Sequence, residues 1–449
     1  MTEPSHPQPQ GGRNRHQDVD TAHPSPATGH TRRATDPMGH PSPALAPLGR
    51  SFWRLFAADT VSSLGTVIST LAIQFLLIDT LNADEQAIGI VRAAQWAPYL
   101  LLGLLAGVVA ERVRRRPLLI GADLAGMTIF GTIGVLALTG RLTVPVLAAL
   151  VFVFGAVTCL SVAAYQSYVP RLVPERALPD AFARLEQMSQ VVGSAGPVTA
   201  GSLVRFLSAP VAVLVDAASY AVSAILLATI STPEPAPEPR ERRRIIDELR
   251  EGARWVYRHE TLRPYAFWLH TWFFGQSLVG TVLVYYANQE LHLDALTVGL
   301  VLAAAGVSGA IGAGLAPGLG RRFGIGRVIT TVEWVTPTWA FLVVLARPGP
   351  WAVVVLVAAQ LVQGLTSISA SLMMSYRTAV TPDRLRARMN ATIRTFNWGG
   401  LAIASLLSGW LASIWGSRAA MLTGALILLG ATAYLWRSPF RDAVLPAGD

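Results

Sequence analysis

No lysine occurs in this chain of 449 residues: all 36 basic side chains are arginine. Charge of either sign is scarce, 14% of residues against 52% hydrophobic, where a soluble globule carries about 25% charged residues. That balance, with a mean hydropathy of +0.44, is the balance of an integral membrane protein. One cysteine, Cys159, lies in an apolar run, which excludes an intramolecular disulfide and any multi-cysteine metal site. There is no phosphate loop, no metal-ligand spacing and no nucleophile elbow, so neither ATP hydrolysis nor enzymatic catalysis is expected, and no cofactor. No signal-peptide h-region follows Met1. The missing lysine and the excess of Ala, Gly, Val and Leu suggest a GC-rich, bacterial genome.

What is present is repetition. Ser167-Tyr168, Pro174-Glu175-Arg176 and Gly201 recur as Ser375-Tyr376, Pro382-Asp383-Arg384 and Gly409, each 208 residues later (375−167, 382−174, 409−201). One register shared by three unrelated signatures implies two copies of one unit. The first copy reads as a basic, proline-marked turn at 167–176 followed by a helix that starts polar and becomes small and apolar.

Residues 1–50 are rich in Pro, His, Gly, Ser and Thr and are expected to be disordered; a metal-binding tail built on His6, His16, His23, His30 and His40 is the alternative. From Phe52 the apolar runs are long enough to cross roughly 30 Å of hydrocarbon. They predict helices near 53–80, 87–110, 117–139, 143–164, 180–206 and 209–230. A second set lies near 264–289, 296–319, 327–346, 350–375, 388–414 and 418–437. The expected fold is an all-α membrane protein, twelve transmembrane helices in two pseudo-symmetric six-helix bundles at 51–231 and 264–438. A linker at 232–263 and a tail at 439–449 complete it. The linker opens with the stiff run Thr232 to Pro239 and continues as an amphipathic helix, lying on the membrane face or packed on the bundle.

The net charge of +9 does not point to nucleic acid, because the arginines sit in short gaps between apolar runs. Arg112, Arg114, Arg115 and Arg116 fill one gap, Arg171, Arg176 and Arg184 another, and Arg321, Arg322, Arg327, Arg377, Arg384, Arg386 and Arg388 their counterparts. The opposite gaps are arginine-poor. Positive residues stay inside, so both termini are expected in the cytoplasm and the protein in the bacterial plasma membrane.

Gly107-Val-Val-Ala-Glu111-Arg112-Val-Arg-Arg115-Arg116 resembles the signature between helices 2 and 3 of the major facilitator superfamily, with Glu111 in place of Asp and Arg114 where many members carry Gly. Gly314 to Arg322 is a degenerate second copy. Gly193-x-x-Gly196-Pro197-x-x-x-Gly201 is similar to the motif of antiporter-type members. The arginine frequent in helix 4 of the family is absent from 143–164. Ala164 to Pro174, Glu248 to Gly252 and Asn390 to Gly399 resemble the branch that holds the enterobactin exporter and macrolide-efflux-like proteins. The resemblance covers about residues 50–437.

That resemblance implies an alternating-access transporter. It assigns gating to Gly107, Glu111, Arg112, Arg115 and Arg116, with Glu111 against the start of helix 11 near Arg388 to Ala391. It assigns a hinge and seal to Gly193, Gly196, Pro197 and Gly201, although close packing alone would use the same residues. Ionisable groups inside spans are expensive and count as functional candidates. Glu186 and Arg394 occupy equivalent positions (394−186 = 208) and are expected to pair across the central axis, separate structural pairs being the alternative. Asp59 and Asp123 are expected to pair loop arginines or to carry protons. Helix 6 is usually peripheral in the family, so Asp216 is expected to be structural, and Glu333 is expected at the periphery. Arg92, Gln95, Gln187, Trp272, Phe273, Gln276, Gln360, Gln363, Asn397 and Trp398 form the candidate substrate lining, amide and aromatic surface suited to large, moderately polar molecules.

The function implied is proton-coupled export of drug-like or natural-product molecules by a monomer in the lipid bilayer. A narrow siderophore or self-made antibiotic exporter is the second reading, and a non-transporting receptor or lipid-handling scaffold the third.

Overall fold

Apolar runs in a medium without water must satisfy their own backbone, so they fold as helices. The structure, a computed structural model, describes residues 48–234 and 245–444, the side chains of 104–112, 245–249 and 387 excepted. The histidine-bearing tail, most of the proline-rich spacer and residues 445–449 lie outside the described residues.

Six helices precede the linker: α1 (Arg50–Phe75), α2 (Glu85–Arg112), α3 (Arg115–Leu138), α4 (Val144–Leu172), α5 (Leu178–Leu207) and α6 (Ala209–Ala228). The linker helix is α7 (Ile245–Arg258). Then come α8 (Leu262–Tyr285), α9 (Ala295–Phe323), α10 (Ile325–Val335), α11 (Thr338–Leu345), α12 (Trp351–Gly364), α13 (Thr366–Val380), α14 (Asp383–Trp415) and α15 (Ser417–Trp436). Pro337, which has no N–H to donate, separates α10 from α11, and Leu365 separates α12 from α13.

Among the described residues, nine helical stretches are long and apolar enough to cross a membrane. Three further long helices, α2, α5 and α8, fall outside that set. They carry polar residues in mid-length: Arg92 and Gln95, Glu186 and Gln190, His270 and Gln276.

The backbone repeats itself where the chain turns. α1 ends in a π turn at Leu76–Thr80 and α8 in one at Tyr286–Glu290, 210 residues on. Asn82 (φ 47°) and His292 (φ 58°) then take left-handed conformations. Asp84 and Asp294 follow as N-caps, each accepting a 2.8 Å bond, from the N–H of Ala87 and of Thr297. At the α5–α6 and α14–α15 junctions, Ser208 (φ 96°) and Gly416 (φ 84°) are 208 residues apart. Two stretches of chain with different side chains thus make the same unusual turns, as duplication requires.

The basic turn expected at 167–176 is shorter than its residues suggest. α4 continues through Ser167 and Pro170 to Leu172, and α13 likewise runs past Ser375 and Tyr376 to Val380. Burial holds the helix past the proline: Tyr168, Val169 and Leu172 share one core cluster with Ala181 and Leu185 of α5. The linker helix packs on the bundle. Val256 of α7 is fully buried against Ala266 of α8 and Met389 and Ile393 of α14.

Candidate functional site

Lipid offers no hydrophobic drive between apolar helices, so close approach depends on small residues. Two seams show this. α2 lies on α14 with Gly89 against Gly409: a Cβ on Gly89 would sit 2.7 Å from Ser405 O and 2.8 Å from Gly409 Cα. α5 lies on α9 with Gly201 against Gly299: a Cβ on Gly299 would sit 3.1 Å from the Pro197 carbonyl carbon and 3.3 Å from Gly201 Cα. The seams are copies of each other, Gly201 matching Gly409 and Gly89 matching Gly299 (409−201 = 208, 299−89 = 210). Gly89 and Gly299 escaped the sequence reading, since their separation of 210 differs by two residues from the offset of 208.

At the Asp84/Asp294 end, Arg205 of α5 pairs with the α9 cap Asp294, and Arg418 reaches Glu290 at 3.6 Å. Of the antiporter-like motif, Gly196 faces Val67 of α1, Pro197 and Gly201 face α9, and Gly193 has open space around it.

Deeper along the first seam, α2, α4 and α14 meet in an aromatic cluster. Trp398 stands edge-on to Tyr99 at 4.5 Å and lies 6.2 Å from Trp96. The Arg394 guanidinium lies 5.7 Å from the Trp398 ring and donates to Gln166 Oε1 at 3.3 Å. A void of about 10 Å³ between Tyr99, Cys159, Arg394 and Trp398 shows how closely this junction is filled. Trp96, Tyr99 and Gln166 are parts of the cluster that sequence reasoning missed.

Glu186 takes no part in it. Its carboxylate accepts from Gln190 Nε2 at 2.8 Å, one turn away on its own helix. The expected Glu186–Arg394 pair is therefore not formed. Equivalent positions in a repeat fix depth along the helix but not which face turns inward, and here each charge has a nearer neutral partner.

Asp59 and Asp123 are likewise not paired with loop arginines. Tyr165 O–H donates to Asp59 Oδ2 at 2.8 Å, and Asp123 Oδ2 is buried with no hydrogen-bond partner among the described residues. Asp216 is fully buried, holding Ser219 at 3.0 Å where α6 crosses Gly65 of α1. Glu333 is 1% exposed and accepts from Thr336 Oγ1 at 2.9 Å. Both acids are buried packing elements, the structural role expected of Asp216, and Glu333 is internal where a peripheral position was expected.

Asn397 is 5% exposed and bonds His270 Nδ1 of α8 at 2.6 Å, while His270 Nε2 shares a 2.9 Å bond with Tyr257 O–H of α7. This relay ties the linker helix to α14, and neither His270 nor Tyr257 stood out in the sequence. The remaining lining candidates disperse. Trp272 and Phe273 stack edge-on at 5.1 Å, Gln276 Oε1 is buried without a partner among the described residues, and Gln360 is buried. Gln187 is exposed and Gln363 half-buried, while Arg92 and Gln95, both half-buried, line a small cavity.

At the arginine-rich end the side chains of Gly107, Glu111 and Arg112 lie outside the described residues. Arg115 and Arg116 have definite partners. The Glu234 carboxylate accepts from the backbone N–H of Arg115 (2.8 Å) and of Arg116 (3.2 Å) and pairs with the Arg115 guanidinium at 3.4 Å. It thus caps α3 where the helix dipole favours an anion. Arg116 Nε donates to Leu227 O at 3.1 Å, at the C-terminal turn of α6. Arg384 and Arg388 of α14 both pair with Glu251 of α7, and Trp255 Nε1 donates to Thr381 Oγ1 at 3.3 Å. A Cβ on Gly252 would lie 2.7 Å from Arg388 O, so the linker helix is clamped flat on the start of α14.

Known proteins share this architecture. The family model described as transmembrane secretion effector matches residues 42–444. An uncharacterized MFS-type transporter of Bacillus subtilis, YkuC, is 24% identical over 234 residues, covering 49% of this chain and 52% of that protein. Macrolide efflux protein A of Streptococcus pyogenes is 22% identical over 183 residues, 41% of this chain and 45% of its own. The chain therefore spans about half the length of these curated relatives. The crystal structure of the nucleoside transporter NupG superposes with a TM-score of 0.68 at 13% identity, over 87% of this chain and all of the other.

Proposed function

The chain belongs to the transmembrane secretion effector family of major facilitator transporters, and from that premise we propose that it exports drug-like or natural-product small molecules by alternating access, in exchange for protons. In this reading twelve spans form two six-helix halves, 51–231 and 264–438, in the plasma membrane of a bacterium. Both termini are cytoplasmic and the working unit is a monomer. The arginine-rich end faces the cytoplasm. The paired glycine seams then close the outer side, with the Arg205–Asp294 pair across them, which is the inward-facing arrangement.

The observation that carries the reading is the junction of α2, α4 and α14. A cation, an amide and three aromatic rings (Arg394, Gln166, Trp96, Tyr99 and Trp398) meet where the two halves contact. Such a set binds a planar, moderately polar molecule by stacking, cation–π attraction and hydrogen bonding, and it comes apart when the halves rock. Glu186, which accepts from Gln190, and Asp59, which accepts from Tyr165, are the proton carriers in this scheme. The similarity to a macrolide efflux protein supports export.

The test is efflux of dyes and antibiotics from energised cells that lack their main pumps, with and without a protonophore. Protonophore-sensitive efflux, lost in Arg394→Ala and in Glu186→Gln with the protein still in the membrane, supports the proposal. Efflux of one natural product alone narrows it to a dedicated exporter, and binding without any gradient-driven flux refutes transport.

A further inference from the structure

Four arginines meet at one recess where α7 ends, α8 begins and α15 ends. An open groove of about 830 Å³ there is lined by Arg258, His259, Glu260, Arg263, Tyr434 and Arg437 among others. That size lies within the range of ligand pockets, about 300–1,000 Å³. A second groove of about 590 Å³ shares Arg437 and Ser438 with the first and adds Trp334, Trp436, Arg441 and Asp442. Across the two, four arginines face two carboxylates, an excess of two positive charges (4−2). No ion pair joins any of these four arginines to another described residue. Arg263 stands on the first turn of α8, where the helix dipole disfavours a cation, and an anion in the groove removes that cost.

The recess is held in shape. Phe440 is fully buried, stacked on Tyr265 of α8 at 5.6 Å and edge-on to Tyr376 of α13 at 5.5 Å. Gly326 N–H of α10 donates to Ala443 O at 3.0 Å. The turn after α15 is thereby fixed to α8, α10 and α13, and with it Arg437 and Arg441 on either side of Phe440.

Two features set the recess at the membrane boundary. Trp334 of α10 and Trp436 of α15 stand edge-on at 5.9 Å, and Arg441 lies over the Trp436 ring at 4.3 Å. Tryptophan gathers at headgroup depth. From Arg437 a stripe of α15 runs into the apolar span through Tyr434, Gly430 and Leu426, all exposed. Gly430 also lines the first groove and has nothing within 4 Å of the place of a Cβ, which leaves a shallow slot.

Excess positive charge at one end and an unfilled apolar strip at the other fit an amphiphile with an anionic head. We propose that this recess binds one anionic phospholipid, its phosphodiester against Arg258, Arg263 and Arg437 and an acyl chain along Tyr434, Gly430 and Leu426. The guanidinium fork matches phosphate oxygens, and basic pockets between spans recognise anionic headgroups. Topological anchoring alone asks only for arginines spread along the rim, whereas here four share one recess. The bound lipid ties the end of the linker helix to the end of α15. This inference needs the membrane setting and not the export reading.

The test follows the unfolding midpoint of the full chain, purified in a neutral detergent and freed of lipid, at constant ionic strength. Phosphatidylglycerol raises the midpoint by about 2 °C for each tenfold increase in its mole fraction above half-saturation. Phosphatidylcholine with the same acyl chains leaves it unchanged. Arg263→Gln with Arg437→Gln, both at exposed positions, weakens the phosphatidylglycerol affinity about 30-fold. Arg171→Gln with Arg176→Gln, also exposed, removes the same charge from the α4–α5 turn and keeps the response. An equal shift with phosphatidylcholine reduces the site to acyl packing and overturns the proposal. A shift of the same size with sodium phosphate alone marks a free-anion site and overturns it, as does a response that both double variants keep or both lose. No shift with phosphatidylglycerol in the wild type overturns it outright.

Discussion

Four glycines of α2 and α14, three in the seam between them and one outside it, should respond to replacement by alanine with graded consequences. Gly400 has nothing within 4 Å of the position a Cβ would take. On a helix, alanine is favoured over glycine by about 1 kcal/mol, so Gly400→Ala should be neutral or slightly stabilising. At Gly399 the nearest atom is Leu100 Cδ1 at 2.7 Å, the far end of a flexible side chain that can turn away. Gly399→Ala should cost little. At Gly89 and Gly409 the neighbours are backbone: 2.7 Å to Ser405 O for one, 2.6 Å to Glu85 O for the other. Ordinary contact begins at 3.4 Å, so the helices must part by roughly 0.7 Å (3.4−2.7). A radial gap of that size forfeits about a quarter to a half of each dispersion contact along the seam. Overpacking of this kind costs about 1–3 kcal/mol, a factor of roughly 5–150 in the population of the seam-closed state. The assay is the unfolding midpoint of each purified variant, with drug efflux in cells as the second readout. The four substitutions share the same propensity change, so differences among them isolate contact. If Gly89→Ala and Gly409→Ala behave like Gly400→Ala in both assays, the seam does not hold the helices together and the argument fails.

Other outcomes follow from the same geometry. Glu234→Gln removes the charge that caps α3 and leaves Arg115, nearly buried, without an anion; a loss of about 3 kcal/mol is expected in thermal unfolding. Glu251→Gln unpins α7 from Arg384 and Arg388, and because both pairs are partly exposed the stability cost stays below about 1 kcal/mol. Faster hydrogen exchange at the C-terminal turns of α7 is the sensitive readout for that variant. His259 Nδ1 accepts the Thr261 N–H at 3.3 Å, and burial holds its imidazole below the usual 6.5 despite Glu260 beside it. The folded state thus binds fewer protons than the unfolded one. The stabilisation is complete above the unfolded value near 6.5 and is lost as pH falls below it. The unfolding midpoint should drop on acidification through that range, and His259→Asn, which still offers an acceptor, should flatten the dependence.

How far the sequence reaches can be argued from individual residues. Helix position follows from apolar runs, and duplication follows from one offset, because both are written along the chain in one dimension. The offset of 208 that pairs Gly201 with Gly409 pairs Gly89 with Gly299 only after a shift of two residues, to 210, so the second member of each seam was only partly legible in it. Azimuth is different. Glu186 and Arg394 share a depth, yet one turns to Gln190 and the other to Gln166 and Trp398. A rotation of one helix by a single residue step, about 100°, decides between these outcomes, and apolar periodicity is too weak in a lipid-facing bundle to set it. Tyr168 and Val169 carry α4 past Pro170 through burial against α5, which no local signal at the proline announces. The linker helix was legible as amphipathic but not as packed, since lipid and protein accept the same apolar face. What settles it is Gly252: a residue without a side chain, set beside a carboxylate that reaches two arginines of α14, belongs against a backbone and not against lipid.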